Sequence, residues 1–235
     1  MAPNLRRLIL FFLVPVFSLA QTPSATPSAA VPEPDLKAVL ARMDEAAKNF
    51  KSAQADVELV QYTALVEETS TQTGEIYFRR HGKDKDHGMD VALQIIKPHP
   101  KQVVINGDTL AYYDPKTRQK TERNIGNNHA DVESVMNLGF GGRGQELLKD
   151  FDVKLLGWET VDGVHTAKLE LAPKSDRLKQ FFTRMLLWID PARDVPLKQQ
   201  RFHSGDYDIT RYSNIRVNGK MSDEVFRLKK AGGGE

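Results

Sequence analysis

One arginine stands at the end of an apolar row. Ile76, Phe78 and Arg80 are two residues apart, and side chains at that spacing share one face of a β-strand. If this guanidinium is buried it needs fixed acceptors, such as the backbone carbonyls at helix ends, because taking its charge out of water is costly. The alternative is an arginine at a strand end whose side chain stays in water.

A glycine-rich segment has the spacing of a dinucleotide-binding loop. Residues 139–144 read Gly-Phe-Gly-Gly-Arg-Gly, which fits G-x-G-x-x-G, but a phosphate loop must follow a strand within a βαβ unit. Here the preceding residues have a helical pattern. We therefore interpret the segment as a flexible hinge between two helices.

Metal and hydrolase sites are each only weakly indicated. Imidazole and carboxylate groups in one stretch could ligate a metal, but Lys83 and Lys85 lie between them, which favours a solvated hairpin tip. We find no Gly-x-Ser-x-Gly motif and no cysteine. The residues considered as metal ligands are His81, Asp84, Asp86, His87 and Asp90. The sequence thus predicts neither an enzyme nor a bound cofactor or metal.

The first residues predict export. Arg6 and Arg7 precede an apolar run from Leu8 to Leu19 that is too short for the roughly 20 residues of a membrane-spanning helix. We expect a signal peptide at residues 1–20, cleaved after Ala20, and then a flexible Pro/Ser/Ala linker at 21–34. One domain over residues 35–229 and a disordered tail at 230–235 complete the predicted organisation.

Composition narrows the class of protein. With no cysteine, the chain can form neither a disulfide nor a lipidated N-terminal cysteine, so we expect a soluble periplasmic protein and a monomer. Without its first 20 residues, which hold two arginines and no acid, the 33 basic side chains become 31, against 31 acidic ones. A neutral protein of this kind is not expected to bind nucleic acid.

The apolar periodicity predicts a helix followed by many strands. After Asp35, apolar residues recur at three- and four-residue spacings up to Phe50. The period then changes to two, with turn signals such as Asn106-Gly107-Asp108. Two short helices are expected between His129 and Phe151, and strands resume at Val153. This order predicts a curved antiparallel sheet with helices over one open face.

In this order, several segments resemble the family of the periplasmic lipoprotein carrier LolA and the outer-membrane lipoprotein-sorting proteins. The opening helix leads into residues 55–61, and then come Gly74-Glu75-Ile76-Tyr77-Phe78-Arg79-Arg80 and the run from Val104 to Pro115. Residues 187–190 and 205–214 look like the family's last strands. Where the family often has Pro and Trp, this chain has His81 and Ala111.

The resemblance implies a fold, a ligand and partners. The fold is an incomplete, half-open antiparallel β-barrel with a helical lid, in which the arginine that matches Arg80 holds the lid. The implied function is a carrier or chaperone that takes the acyl chains of lipoproteins from an inner-membrane releasing complex to an outer-membrane receptor. Combined with the periodicity, it predicts a lipid cavity and lid formed by Leu36, Leu40, Met43, Val57, Leu59, Ile76, Phe78, Arg80, Leu93, Val135, Met136 and Leu138.

Two other functions remain open from the sequence. A sensor of the same fold would bind lipid or lipoprotein in order to report it and would not pass it on. An envelope hydrolase would need a cluster of polar side chains with perturbed pKa values in the cavity. Ordinary packing of helix on sheet is the alternative reading of each apolar residue in the predicted cavity.

Overall fold

A computed structural model describes residues 33–80, 88–126, 132, 135 and 138–228. From Pro34 on, the chain forms one compact unit. The predicted signal peptide, residues 21–32 of the linker and the tail lie outside the described residues. No helix in the described ranges is long and apolar enough to cross a membrane. The helices are α1 (Leu36–Asn49), α2 (Gly144–Asp150), α3 (Asp176–Lys179) and a 3-10 helix (Asp223–Phe226).

Eleven antiparallel strands form a single sheet. Its order is β6-β5-β4-β3-β2-β1-β11-β10-β9-β8-β7, so β6 and β7 are the edge strands and the sheet is not closed. The predicted fold class, a mainly β open sheet with few helices, is confirmed. The strands are β1 (Ser52–Thr63), β2 (Glu68–Arg80), β3 (Met89–Lys97), β4 (Lys101–Asn106), β5 (Thr109–Asp114), β6 (Gln119–Asn124), β7 (Phe151–Val161), β8 (Val164–Pro173), β9 (Arg184–Asp190), β10 (Val195–His203) and β11 (Asp206–Val217).

Helix α1 forms where its sequence predicts it. The Asp35 carboxylate accepts a hydrogen bond from the Ala38 N–H at 2.8 Å, which satisfies one of the unpaired donors of the first turn. The helix buries one side, with Val39, Leu40, Met43 and Ala47. It ends at Phe50, whose backbone is extended.

The sheet face that carries α1, called here the helix face, has two apolar clusters. The first packs α1 on β7, β8 and β9, with Leu169 and Leu187 fully buried. The second lies over β1 to β5 and includes Val57, Phe78 and Tyr212. Strand register links the two clusters across one face, since Leu187 pairs with Gln199, Gln199 with Thr210, and Thr210 with Leu59.

The second predicted helical region differs in part from the structure. Val132 and Val135 have helical backbone and α2 is present, but Phe151, expected in the helix, begins β7. There its ring is 1% exposed and stacks on Phe182 at 5.8 Å. Packing against a distant part of the chain thus overrides the local helical spacing.

On the opposite face of the sheet, the C-terminal 3-10 helix covers β2, β3 and β4. Phe226 packs with Tyr77, Ala92 and Val104 in a separate apolar cluster. No periodic pattern in the sequence indicates this cover. The prediction that Asp90 lies in a solvated hairpin tip is wrong, because Asp90 is fully buried and paired with Arg79 at 2.8 Å.

Candidate ligand-binding face

The Arg80 guanidinium joins the sheet to the helices. It donates from one terminal nitrogen to the Ala47 carbonyl at 2.9 Å and from the other to the Gly141 carbonyl at 2.6 Å. Ala47 lies in the last turn of α1, where carbonyls lack full helical partners. The guanidinium also lies 5.6 Å from the centre of the Phe50 ring. We call this set of interactions the Arg80 contact.

The backbone of Arg80 is hydrogen-bonded as well as its side chain. Its N–H donates to the Lys51 carbonyl at 2.9 Å, and its strand neighbour Met89 completes the ladder with β3. The side chain is therefore projected from the end of a paired strand. The half-buried guanidinium thus has two fixed backbone carbonyls as acceptors, the kind of partner that a buried Arg80 would need.

The second acceptor lies in the glycine-rich segment, which is a tight turn before α2. Gly141 has φ of 70°, and a Cβ atom there would lie 2.3 Å from Cδ1 of Phe50. Only glycine allows this conformation and this approach. The G-x-G-x-x-G spacing thus reflects close packing. The described residues before the segment, Val132 and Val135, have helical backbone, whereas a phosphate loop would follow a strand.

On the sheet face that carries Arg80, half-buried apolar side chains cross several adjacent strands. Ile76 pairs with Leu93 and Leu93 with Val103, and Leu59 lies on the same face of neighbouring β1. Each is half-buried, unlike Val57 and Phe78, which have 4% and 2% exposure. We call Leu59, Ile76, Leu93, Val103 and Leu110 the apolar row; Leu110 pairs with Ile105 on β4.

The predicted cavity and lid residues divide between the two clusters of the helix face. The sheet residues Val57, Leu59, Ile76, Phe78 and Leu93 lie in the second cluster. Met136 lies outside the described residues. The remaining predicted apolar residues pack in the first cluster with β7 to β9: Leu36, Leu40, Met43, Val135 and Leu138.

A small pocket opens beside the first cluster, between α1 and the sheet. It is barely large enough to hold one water molecule and is partly open to solvent. Apart from Arg42 and Asp194 its lining is apolar, with Val39, Trp158 and Ile189 among the contributors. Arg42 lies 3.5 Å from Asp194, whose pKa is raised by burial.

Two aromatic residues of the second cluster lie outside the predicted site. Tyr212 is 5% exposed, and the ring of Phe140 lies between it and Phe78. Phe50, the last apolar residue of the predicted helix, packs in the same cluster. The apolar and polar alternation along β11 indicates Tyr212, whereas the glycine neighbours of Phe140 indicated a flexible hinge.

We expect alkaline pH to reduce stability through Tyr212. Burial raises the pKa of its phenol, and burial and the Glu75 hydrogen bond raise the pKa of Tyr77 to about 12. Because an unfolded tyrosine ionises near pH 10, the unfolded chain loses its protons first, so stability falls as pH rises from about 10 through the folded-state pKa. Tyr212→Phe should lose less stability than wild type over this range in urea unfolding, and Tyr62→Phe, at a half-buried tyrosine, is the control. An equal loss in wild type and Tyr212→Phe would contradict this.

Comparison with known proteins adds information about the fold. No protein-family model matches the sequence, and a search of curated proteins finds no match. Among solved structures, an uncharacterized conserved protein from Thermus thermophilus has 15% identity and a TM-score of 0.52, covering 83% of this chain and 94% of that one. Pseudomonas aeruginosa MucB has 16% identity and a TM-score of 0.51, covering 83% of this chain and 62% of that one.

A LolA superfamily protein from Nitrosomonas europaea is also similar, at 14% identity and a TM-score of 0.38, covering 83% of this chain and 98% of that one. Identities this low speak only to architecture, and the two structures with TM-scores above 0.5 carry that conclusion. At the level of the fold, this chain therefore shares with those two structures an open, mostly antiparallel sheet with few helices.

Proposed function

We propose that this protein is a periplasmic carrier that binds the acyl chains of lipoproteins on its helix face and shuttles them from the inner to the outer membrane. The observation that carries the proposal is the Arg80 contact, which fastens α1 and the glycine-rich turn to the sheet face that also carries the apolar row.

The energetics of an acyl chain suit this arrangement. Burying one methylene is worth about 0.8 kcal/mol, so a chain of about a dozen carbons gains on the order of 10 kcal/mol. The half-buried side chains Leu59, Ile76 and Leu93 offer apolar surface to such a chain. Opening the Arg80 contact offsets part of this gain, which keeps the ligand releasable.

The predicted cavity and lid residues have two roles in this proposal. The apolar row and its neighbours Val57 and Phe78 contact the acyl chain. The first cluster anchors the cover formed by α1, with Leu36, Leu40 and Met43 on the helix and Val135 and Leu138 from the second helical region. Met136, outside the described residues, is proposed for the same cover. The proposed partners are acylated lipoproteins, an inner-membrane releasing complex and an outer-membrane receptor.

A binding module that senses instead of carrying is the second candidate. MucB, which shares the fold, was crystallised in complex with MucA, so a chain of this fold can serve as a partner in a protein complex. A sensor would retain lipid or lipoprotein without transferring it.

The test is retention of an acylated ligand by the mature protein. We expect native mass spectrometry to find an acylated species on protein purified from the periplasm, and we expect a triacylated lipoprotein mixed with the protein to stay soluble in a one-to-one complex. Leu93→Asp should abolish retention, because it places a carboxylate within the apolar row. Leu156→Asp is the matched control, since Leu156 is 49% exposed on edge strand β7.

The outcomes separate the candidates. If no acylated ligand is retained and the lipoprotein aggregates with wild type, lipid transport is the wrong function. If wild type retains the lipoprotein but does not pass it to outer-membrane vesicles, the sensor is favoured. Equal loss of retention in Leu93→Asp and Leu156→Asp would show that the apolar row is not the binding surface.

A further inference from the structure

One side chain of the second cluster comes from outside the sheet. Phe140 belongs to the glycine-rich turn, yet it is 1% exposed. Its ring stacks on Phe78 at 4.7 Å with 20° between planes, and it meets Tyr212 edge-on at 5.1 Å and 79°. These are the two favourable geometries for aromatic pairs. Phe140 therefore fills a slot whose two walls belong to β2 and β11.

This slot is continuous with the apolar row. Phe78 follows Ile76 by two residues on β2, and Tyr212 pairs with Val57, two residues before Leu59 on β1. The walls of the slot and the apolar row thus share one face of adjacent strands. A linear ligand lying along the row would reach the slot without leaving that face.

The placement of Phe140 depends on the Arg80 contact. The carbonyl of the next residue, Gly141, accepts a hydrogen bond from the Arg80 guanidinium at 2.6 Å. The preceding residue, Gly139, has φ of 91° and lies so close to Pro196 that a Cβ atom would be 2.8 Å from its Cγ. Phe140 is thus held between a fixed packing contact and a polar contact that can open.

We propose that the slot between Phe78 and Tyr212 is the inner end of the acyl-chain site, and that Phe140 occupies it in the ligand-free protein. The incoming acyl chain expels Phe140 as the Arg80 contact opens, and Phe140 returns as the chain leaves. An apolar slot left empty would be destabilising, so a resident ring keeps the free protein folded and competes with the ligand. This inference rests on the proposed function and adds a named subsite and a displaced residue.

The first test uses the absence of cysteine from the chain. In Phe140→Cys the introduced thiol is the only one, and a long-chain fatty acid should increase its rate of reaction with a thiol reagent at least several-fold, because the ligand expels the segment. If Phe140 were instead a fixed wall of the site, the fatty acid would slow the reaction, and that result would overturn the proposal. An unchanged rate in the presence of bound fatty acid would overturn it as well.

A matched variant controls for general loosening of the core. Phe182 is fully buried and stacks on Phe151 at 5.8 Å in the first cluster. In Phe182→Cys, the fatty acid should leave the labelling rate unchanged. Acceleration in both variants would indicate ligand-induced unfolding and would overturn the proposal.

The second test measures affinity for a fluorescent long-chain fatty acid. Phe140→Ala should bind it about tenfold or more tightly than wild type, because removing a competitor raises the binding-competent fraction. Phe182→Ala should show no such gain, since Phe182 is fully buried in the first cluster and the apolar row belongs to the second. If wild type binds no long-chain probe, the proposed function fails; if wild type binds and Phe140→Ala does not bind more tightly, only the role of Phe140 fails.

Discussion

Arg79→Met is expected to lower the free energy of unfolding by about 3–5 kcal/mol, the usual cost of removing one partner of a buried ion pair. The Asp90 carboxylate is fully buried and accepts from Nε of Arg79 at 3.2 Å and from Nη2 at 2.8 Å. Without the guanidinium, a buried carboxylate loses both charge-assisted hydrogen bonds. Arg79 also pairs with Asp223 and lies 4.2 Å from the centre of the Phe226 ring, so the C-terminal cover should loosen too.

Urea unfolding of four proteins tests this expectation. Wild type, Arg79→Met, Asp90→Asn and the double variant form a cycle, and the double variant should lose clearly less than the sum of the single losses. Arg184→Met is the matched control, because Arg184 also lies over an aromatic ring, Phe202, at 4.2 Å but has no fully buried carboxylate partner. A loss below about 1 kcal/mol in Arg79→Met, as at an exposed pair, would contradict the expectation.

Arg80→Leu is expected to lower the free energy of unfolding by about 2–4 kcal/mol, from two hydrogen bonds between a charged donor and backbone carbonyls. The variant removes the guanidinium donors of the Ala47 and Gly141 carbonyls. Loss of these anchors should raise amide hydrogen exchange in the last turn of α1 and in α2, while the exchange of central strands β1 and β11 changes little.

Arg80→Lys separates charge from geometry. An ammonium is a compact donor that cannot span two carbonyls as the planar guanidinium does, so this variant should lie between wild type and Arg80→Leu in stability. Both variants should bind an acyl ligand more tightly than wild type, since less binding free energy is used to open the contact. If Arg80→Leu unfolds at the same urea concentration as wild type, the Arg80 contact does not hold the helices.

Much of the sheet and α1 could be predicted from local patterns. Asp35 is a strong N-cap signal, and the alternation of Ile76, Phe78 and Arg80 correctly placed all three on one face. These features depend on residues close in sequence. The acceptors of Arg80 could be named only by type, as carbonyls at helix ends, because the partners Ala47 and Gly141 are brought to β2 by packing of distant segments.

The errors have the same origin. Asp90 was placed among the charged residues of a loop, but β2 and β3 pair as far as Arg80 and Met89, which draws Asp90 into the sheet opposite Arg79. Phe140 was assigned to a flexible hinge because glycine neighbours usually indicate one, and only the tertiary structure shows that these glycines permit close packing. The C-terminal 3-10 helix is too short to give a periodic signal, so Phe226 had no predicted partner.

The strand order also governs how this chain can fold. Strands β1 to β6 form one meander and β7 to β11 another, and in each meander neighbouring strands follow one another in sequence. The seam between them is the pairing of β1 with β11, which brings together opposite ends of the domain in the middle of the sheet. Pairing β1 with β11 closes a loop of nearly the whole domain, which is slow. Until the two strands pair, β1 is an exposed edge of the first meander and β11 is an exposed edge of the second. A chain that emerges from a membrane pore N-terminus first thus keeps β1 unpaired on one side until β11 has emerged, and this interval is when it is most open to aggregation or to binding by a chaperone.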